Sequence, residues 1–370
     1  MKFNNMINKL FKNLYKIEAR QHNMLYVFCF IYYLITMIMP SIILTLNGID
    51  HGYFAMNYYY LFSILLLATV NGFIIFKYLH NKYEIDFLHS LPASREDIFY
   101  SKLLFGFNVY ILPTILLLVI QYFVLLFLRP NALINQNEII KMVLCNTLYY
   151  LVSFLIISFC ICVSGKSIIA VFSSLVIQLL GYILILIYLL LKANFNPSSD
   201  SSNILNSIFG YLSPINTYVK MAEDANVIIP TAILIAYMIL FFKICKYSFI
   251  NRPLEKYNKV FAFDAMSRLF QILISSVFGF LGGELLLIFY DNSLNIFSRL
   301  IILVIGNVII TTLVFIVIEI IYNKKLTVSL NKIIDYILSI LVPVFIVVLY
   351  TYTLTAWYKK RRPSIGLLFY

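Results

Sequence analysis

Residues 300–322 read LIILVIGNVIITTLVFIVIEIIY, 23 consecutive positions whose only charged side chain is Glu319. A helix that crosses a bilayer needs about 20 mostly apolar residues, so this run is long enough to span one. Working outward, the same pattern recurs: nine spans are expected at Met24–Leu46, Tyr58–Phe76, Leu103–Leu128, Met142–Val163, Ile168–Leu191, Val227–Phe242, Ile272–Tyr290, Leu300–Tyr322 and Tyr336–Thr355. Across 370 residues 62% are hydrophobic and 12% charged, with mean hydropathy +0.91, far above the roughly half-apolar make-up of a soluble domain. The expected fold is an all-α polytopic membrane protein with about nine transmembrane helices.

The net charge of +12 does not form a basic soluble domain, so it does not point to nucleic acid. Basic residues fall between the apolar runs instead. With the N-terminus cytoplasmic, 19 Lys and Arg lie in the inner segments and 5 in the outer ones, as the positive-inside rule requires. The tail 359–370, with Lys359, Lys360, Arg361 and Arg362, runs against that rule if all nine segments cross. A ninth segment that does not cross, a misplaced earlier span, or a chain that continues further would each resolve the conflict.

Residues 1–23 form the first region. Phe3, Ile7, Leu10, Leu14 and Ile17 recur at helical spacing opposite Lys2, Lys9, Lys12, Lys16 and Arg20, which predicts an amphipathic helix in the cytoplasmic interface. The first apolar run is too long for a signal-peptide core and has no small-residue cleavage site, so it is expected to stay in the mature protein. Residues 24–246 hold six spans, 247–271 a cytoplasmic loop, and 272–358 the remaining spans. The external stretch Lys192 to Asn226 reads as a turn-rich connector.

The most informative loop is 77–102, KYLHNKYEIDFLHSLPASREDIFYSK. It mixes charges of both signs with Phe87, Leu88, Leu91, Ile98 and Phe99, too apolar for a solvated linker. Pro92 interrupts it, and Ser94 with Asp97 at the third helical position forms a capping box that starts a helix at Arg95. A short helix lying along the membrane is expected, its apolar cluster serving as a contact site or as an interfacial anchor.

The segment FLHSLPASREDIFYSKLLFGF resembles the cytoplasmic loop of bacterial ABC-2-type permeases, in particular antibiotic- and peptide-export permeases of Gram-positive bacteria. The resemblance rests on Leu91, Pro92, Ser94, Arg95, Ser101 and Lys102, with looser support from Ser164-Gly165, Ser213-Pro214 and the run Asn251 to Glu255. It implies a six-helix permease core followed by further C-terminal helices. It also implies a coupling loop through which Phe87, Leu88, Leu91, Pro92, Ser94, Arg95 and Asp97 engage a separate ABC ATPase subunit, and a second cytoplasmic loop with Arg252 and Glu255. ATP and Mg would then be held by that partner and no cofactor by this chain, which would pair with a second permease subunit among the lipids of the cell membrane. The cargo implied is hydrophobic or amphipathic: a peptide, an antibiotic or a lipid-like molecule.

Residue chemistry agrees with a chain that is not itself the ATPase. Ser164-Gly165-Lys166-Ser167 imitates the end of a phosphate-binding loop, but Cys160 stands where the first glycine belongs and an apolar helix precedes it. His22, His51, His80 and His89 lie near or outside span boundaries and make no metal-binding motif, so neither catalytic nor metal-ligating residues are expected. The five cysteines fall in or beside apolar segments and read as packing residues. Glu284, after Gly282 and Gly283, is the intramembrane carboxylate with a place on a substrate path or in a structural pair. Gly279 and Gly283 form a small-xxx-small face for another helix. A sensor or scaffold subunit, or a polytopic membrane enzyme, are the alternatives; the latter lacks converging acids and bases.

Overall fold

The computed structural model describes residues 13–40, 43, 57–128, 136–195, 210–223, 227–256, 259–288, 296–324 and 329–361. Outside them lie residues 1–12 of the expected interfacial helix, the end of the first span beyond 43, residues 196–209 and 224–226 of the external connector, His51, and the tail from 362.

The described chain is predominantly helical. In order, the main helices are α1 Asn23–Tyr33, α2 Asn57–Phe76, α3 Lys82–Ser90, α4 Arg95–Leu128, α5 Gln136–Val163, α6 Ser167–Phe195, α7 Pro214–Glu223, α8 Ile228–Ile250, α9 Asp264–Ile288, α10 Ile296–Asn323 and α11 Leu330–Arg361. Eight of them, all but α1, α3 and α7, are long and apolar enough to cross a membrane. The first expected span is described as a shorter apolar helix, Asn23–Thr36, preceded by helical residues 13–21.

Two compact units divide the chain, one of Met1–Leu180 with Tyr211–Phe263, the other of Gly181–Gly210 with Asp264–Tyr370. The second half of α6 therefore belongs with the three C-terminal helices.

In the first unit α5 is the central helix. Within its spanning window 83% of residues are buried, against 22% for α8, whose Ile235, Ile239 and Leu240 face outward as lipid-facing residues do. Tyr149 and Tyr150 are fully buried on α5, and each finds a partner for its hydroxyl: Tyr149 donates to Gln178 (3.0 Å) and Tyr150 to the Gly106 carbonyl (3.1 Å). Such pairing is what permits a tyrosine inside an apolar bundle.

The N-terminal helical stretch lies in register with α2 and α4. Glu18 meets Lys102, Cys29 meets Asn71, the Tyr32 hydroxyl reaches the Ser63 carbonyl, and the Tyr33 ring lies edge-on to Tyr110. As the chain runs from 18 to 33 its partners descend α2 and ascend α4, so it is antiparallel to the first and parallel to the second. Leu14 and Glu18 are buried on its inner face, whereas Ile17 is exposed.

In the second unit a core of Leu191, Phe280, Leu287, Leu303 and Val347 joins α6, α9, α10 and α11. Closest approach occurs between α9 and α10, where a side chain at Gly283 would stand 2.6 Å from the Leu303 carbonyl oxygen. The small-residue face thus does receive a neighbouring helix, and Gly306 of α10 supplies the matching gap.

Candidate functional site

At one end of the first unit three helices stop together. Helices of this kind end with carbonyl groups that lack an intrahelical partner and carry partial negative charge. After α2 the chain tightens into the 3-10 turn Lys77–His80, α5 stops at Val163, and α8 stops at Ile250. Arg252 is 1% exposed and donates to four such oxygens: Ile161 (2.6 Å), Cys162 (2.7 Å), Leu79 (2.9 Å) and Ser164 (2.9 Å). Desolvation pushes its pKa down from the ordinary arginine value, yet a guanidinium remains charged in a protein.

Arg95 performs the same service for α8. Its guanidinium donates to the carbonyls of Ile250 (2.7 Å) and Arg252 (3.2 Å). Beside it Lys246 pairs with Glu96 (3.2 Å) and reaches the Tyr100 hydroxyl (3.0 Å). The start of α4 is therefore tied to the end of α8 by residues 150 positions apart in sequence.

The capping box forms as the sequence predicts: Ser94 Oγ accepts from the Asp97 amide (3.1 Å) and donates to its carboxylate (2.6 Å). The helix that it starts differs from the expectation. It does not remain short but continues unbroken as the 34-residue α4, because Ile98, Leu103, Phe105 and Val109 keep one face buried into the membrane span. The short helix is α3, which precedes Pro92. Asn81 caps it, accepting from the Tyr83 amide (3.2 Å) and donating to Glu84 (3.0 Å), and the residue before Pro92, Leu91, turns to extended backbone.

On α3 and its exit, Phe87 is 62% exposed, Leu88 and Leu91 are half-buried, and Pro92 is exposed. Asp97 is half-buried in its cap and Glu255 is exposed on the 3-10 turn Leu254–Lys256. Arg95 and Arg252 are thus brought together, while Glu255 makes no such link in the described contacts. The Ser164-to-Ser167 segment packs against residues 259–262: Gly165 donates to the Val260 carbonyl (3.0 Å) and the Ala262 amide to Val163 (2.7 Å). A Cβ at Gly165 would also stand 2.9 Å from the Lys256 carbonyl oxygen, so only glycine lets these strands of chain approach. His80 braces the turn, its ring nitrogens meeting Ser167 Oγ (3.0 Å) and the Ser164 carbonyl (3.2 Å).

No family model, curated protein or solved structure matches this chain.

Sequence reasoning overlooked Glu18, the partner of the buried Lys102. Lys102 Nζ donates to Glu18 Oε1 (2.7 Å) and lies over the Tyr78 ring (4.4 Å). Glu18 is the single acidic residue among the first 23, and it sits four residues after Leu14 on the same helix face. That placement was the available signal. Glu284 belongs to the second unit, where it is buried and accepts a hydrogen bond from Asn194; the Asn194 carbonyl accepts in turn from Arg299 (2.7 Å). The described neighbours make it a member of a polar bridge between α6, α9 and α10. All five cysteines are buried with free thiols.

Proposed function

We propose that this chain is the membrane-spanning subunit of an ATP-driven exporter of the ABC-2 type, residing in the cell membrane with its N-terminus cytoplasmic. The observation that carries the reading is the exposed apolar side of α3, centred on Phe87, held on a platform whose other members are fixed by Arg95 and Arg252. An exposed aromatic on a short, capped helix at the end of a rigid bundle suits a contact with a soluble partner. The resemblance of Leu91, Pro92, Ser94 and Arg95 to the permease coupling loop names that partner as an ABC ATPase, which would bind ATP and Mg.

In this reading Arg95 is a positioning residue. Its guanidinium is occupied by the α8 terminus, so motion imposed on α3 reaches α4 and α8 together. Two copies of the permease, or this chain with a related one, would enclose the path of a hydrophobic or amphipathic cargo.

The test is transport into inverted vesicles from cells that express the chain with its ATPase. ATP-dependent accumulation of a fluorescent amphipathic peptide that disappears in Phe87→Ala/Leu91→Ala vesicles supports the reading. ATP turnover without movement of any cargo would favour a sensing subunit instead.

A further inference from the structure

Between the N-terminal helical stretch, the end of α2, α3 and the start of α4 lies a cavity of about 360 Å³. That is at the small end of the range of about 300–1,000 Å³ occupied by small-molecule sites. Its walls are apolar where Leu14, Ile74, Ile75 and Leu88 line it. Its floor is polar: the Glu18–Lys102 ion pair and Tyr78.

The pair is unequally satisfied. Lys102 Nζ has Glu18 Oε1 and the Ile75 carbonyl (3.4 Å), but Glu18 Oε2 accepts no hydrogen bond among the described residues, though the residue is only 4% exposed. Nε2 of His22 stands 3.9 Å from it, beyond hydrogen-bond reach. The Tyr78 hydroxyl is likewise buried and without a hydrogen-bond partner among the described residues. A buried carboxylate oxygen left unmatched is costly, and a donor entering the cavity would relieve it.

At the mouth are the exposed Ile17, Lys77, Glu84 and Phe87. The cavity stands where the span Tyr60–His80 ends and the span Arg95–Ile120 begins, which is the level of lipid headgroups. Its charged lining, Glu18 and Glu84 against Lys77 and Lys102, balances to zero.

We propose that this cavity binds the headgroup of a bilayer phospholipid bearing a primary ammonium. The ammonium donates to Glu18 Oε2, the phosphate lies towards Lys77 at the mouth, and the first methylenes contact Ile74 and Leu88. The acyl chains stay in the bilayer, since the cavity is too small for a whole phospholipid. Such a lipid fastens the N-terminal helix to α3. The inference stands independently of the exporter reading.

The test uses the full chain, delipidated and placed in nanodiscs of equal parts phosphatidylethanolamine, phosphatidylcholine and phosphatidylglycerol, then re-extracted in mild detergent with the retained lipid measured by mass spectrometry. Phosphatidylcholine keeps the cationic charge but has no N–H donor. Wild-type protein is expected to retain phosphatidylethanolamine over phosphatidylcholine by about tenfold, the value of one charge-assisted hydrogen bond. The double variant Glu18→Gln/Lys102→Met removes the pair without stranding a buried charge and should lose the preference; Ile74→Trp, which fills the cavity and leaves the pair intact, should lose it as well. Equal retention of the two lipids by wild type, or a preference that survives Ile74→Trp, overturns the proposal. Should the double variant fail to fold, Ile74→Trp alone decides.

Discussion

Arg252 illustrates how one buried cation can organise several helix ends: its four accepting carbonyls come from two separate stretches of backbone, Leu79 and the run from Ile161 to Ser164, and only the Ser164 carbonyl meets another side chain, His80, among the described hydrogen bonds. Removing the guanidinium would strand buried acceptors, each worth about 1–3 kcal/mol. Arg252→Ala is therefore expected to lower stability by about 3 kcal/mol or more, read as the loss of a monodisperse peak after heating. Arg252→Lys should recover only part of it, because an ammonium cannot present a planar fork. His22 offers a pH test. It packs beside Phe105, and desolvation holds its pKa below the ordinary histidine value, with Glu18 partly opposing. As pH falls through about 6.5 the unfolded chain takes up the proton first, so the folded state loses stability on acidification. Melting temperature should fall less between pH 7.5 and 5.5 in His22→Phe than in wild type. From sequence, Arg252 was legible as a loop residue of interest, but its acceptors were not, since backbone carbonyls carry no residue identity.

At the scale of elements, helix positions were readable because apolar runs of membrane length are long and their polar breaks abrupt. Eight helices of spanning length overlap eight of the nine expected runs, with ends that differ by up to eight residues, and the start of α4 at Arg95 is visible in Ser94 and Asp97. What the pattern concealed was continuity. A capping box marks where a helix begins and says nothing of where it ends, so the sequence pattern suggests a short helix followed by a span where one 34-residue helix stands. Ser94→Ala should cost about 1 kcal/mol, the usual value of an N-cap, without altering insertion. The packing of α9 on α10 is less forgiving. Gly283→Leu would drive a side chain into the Leu303 carbonyl, and overpacking of this kind costs about 1–3 kcal/mol or more. The melting temperature of that variant should fall well below that of Leu285→Ala, whose side chain is exposed on the same helix.

Over the whole molecule, the contacts gather Glu18, Leu79, Arg95, Ser164 and Arg252 at one end of the first unit, the end that also carries most of its basic residues. The loops assigned to one side of the membrane by charge alone are thus neighbours in space. That grouping was legible because Lys and Arg mark a side, whereas the division into two units was not, because lipid-facing and helix-facing apolar residues look alike in sequence. We propose that this end receives an ATPase. This is tested most directly by measuring vanadate-sensitive ATP hydrolysis on the tagged chain purified from its native membrane. The account predicts activity that accompanies the wild-type chain and is lost from Phe87→Ala/Leu91→Ala at equal amounts of folded protein. Absence of ATPase activity from the wild-type preparation, or activity indifferent to that double substitution, would contradict it.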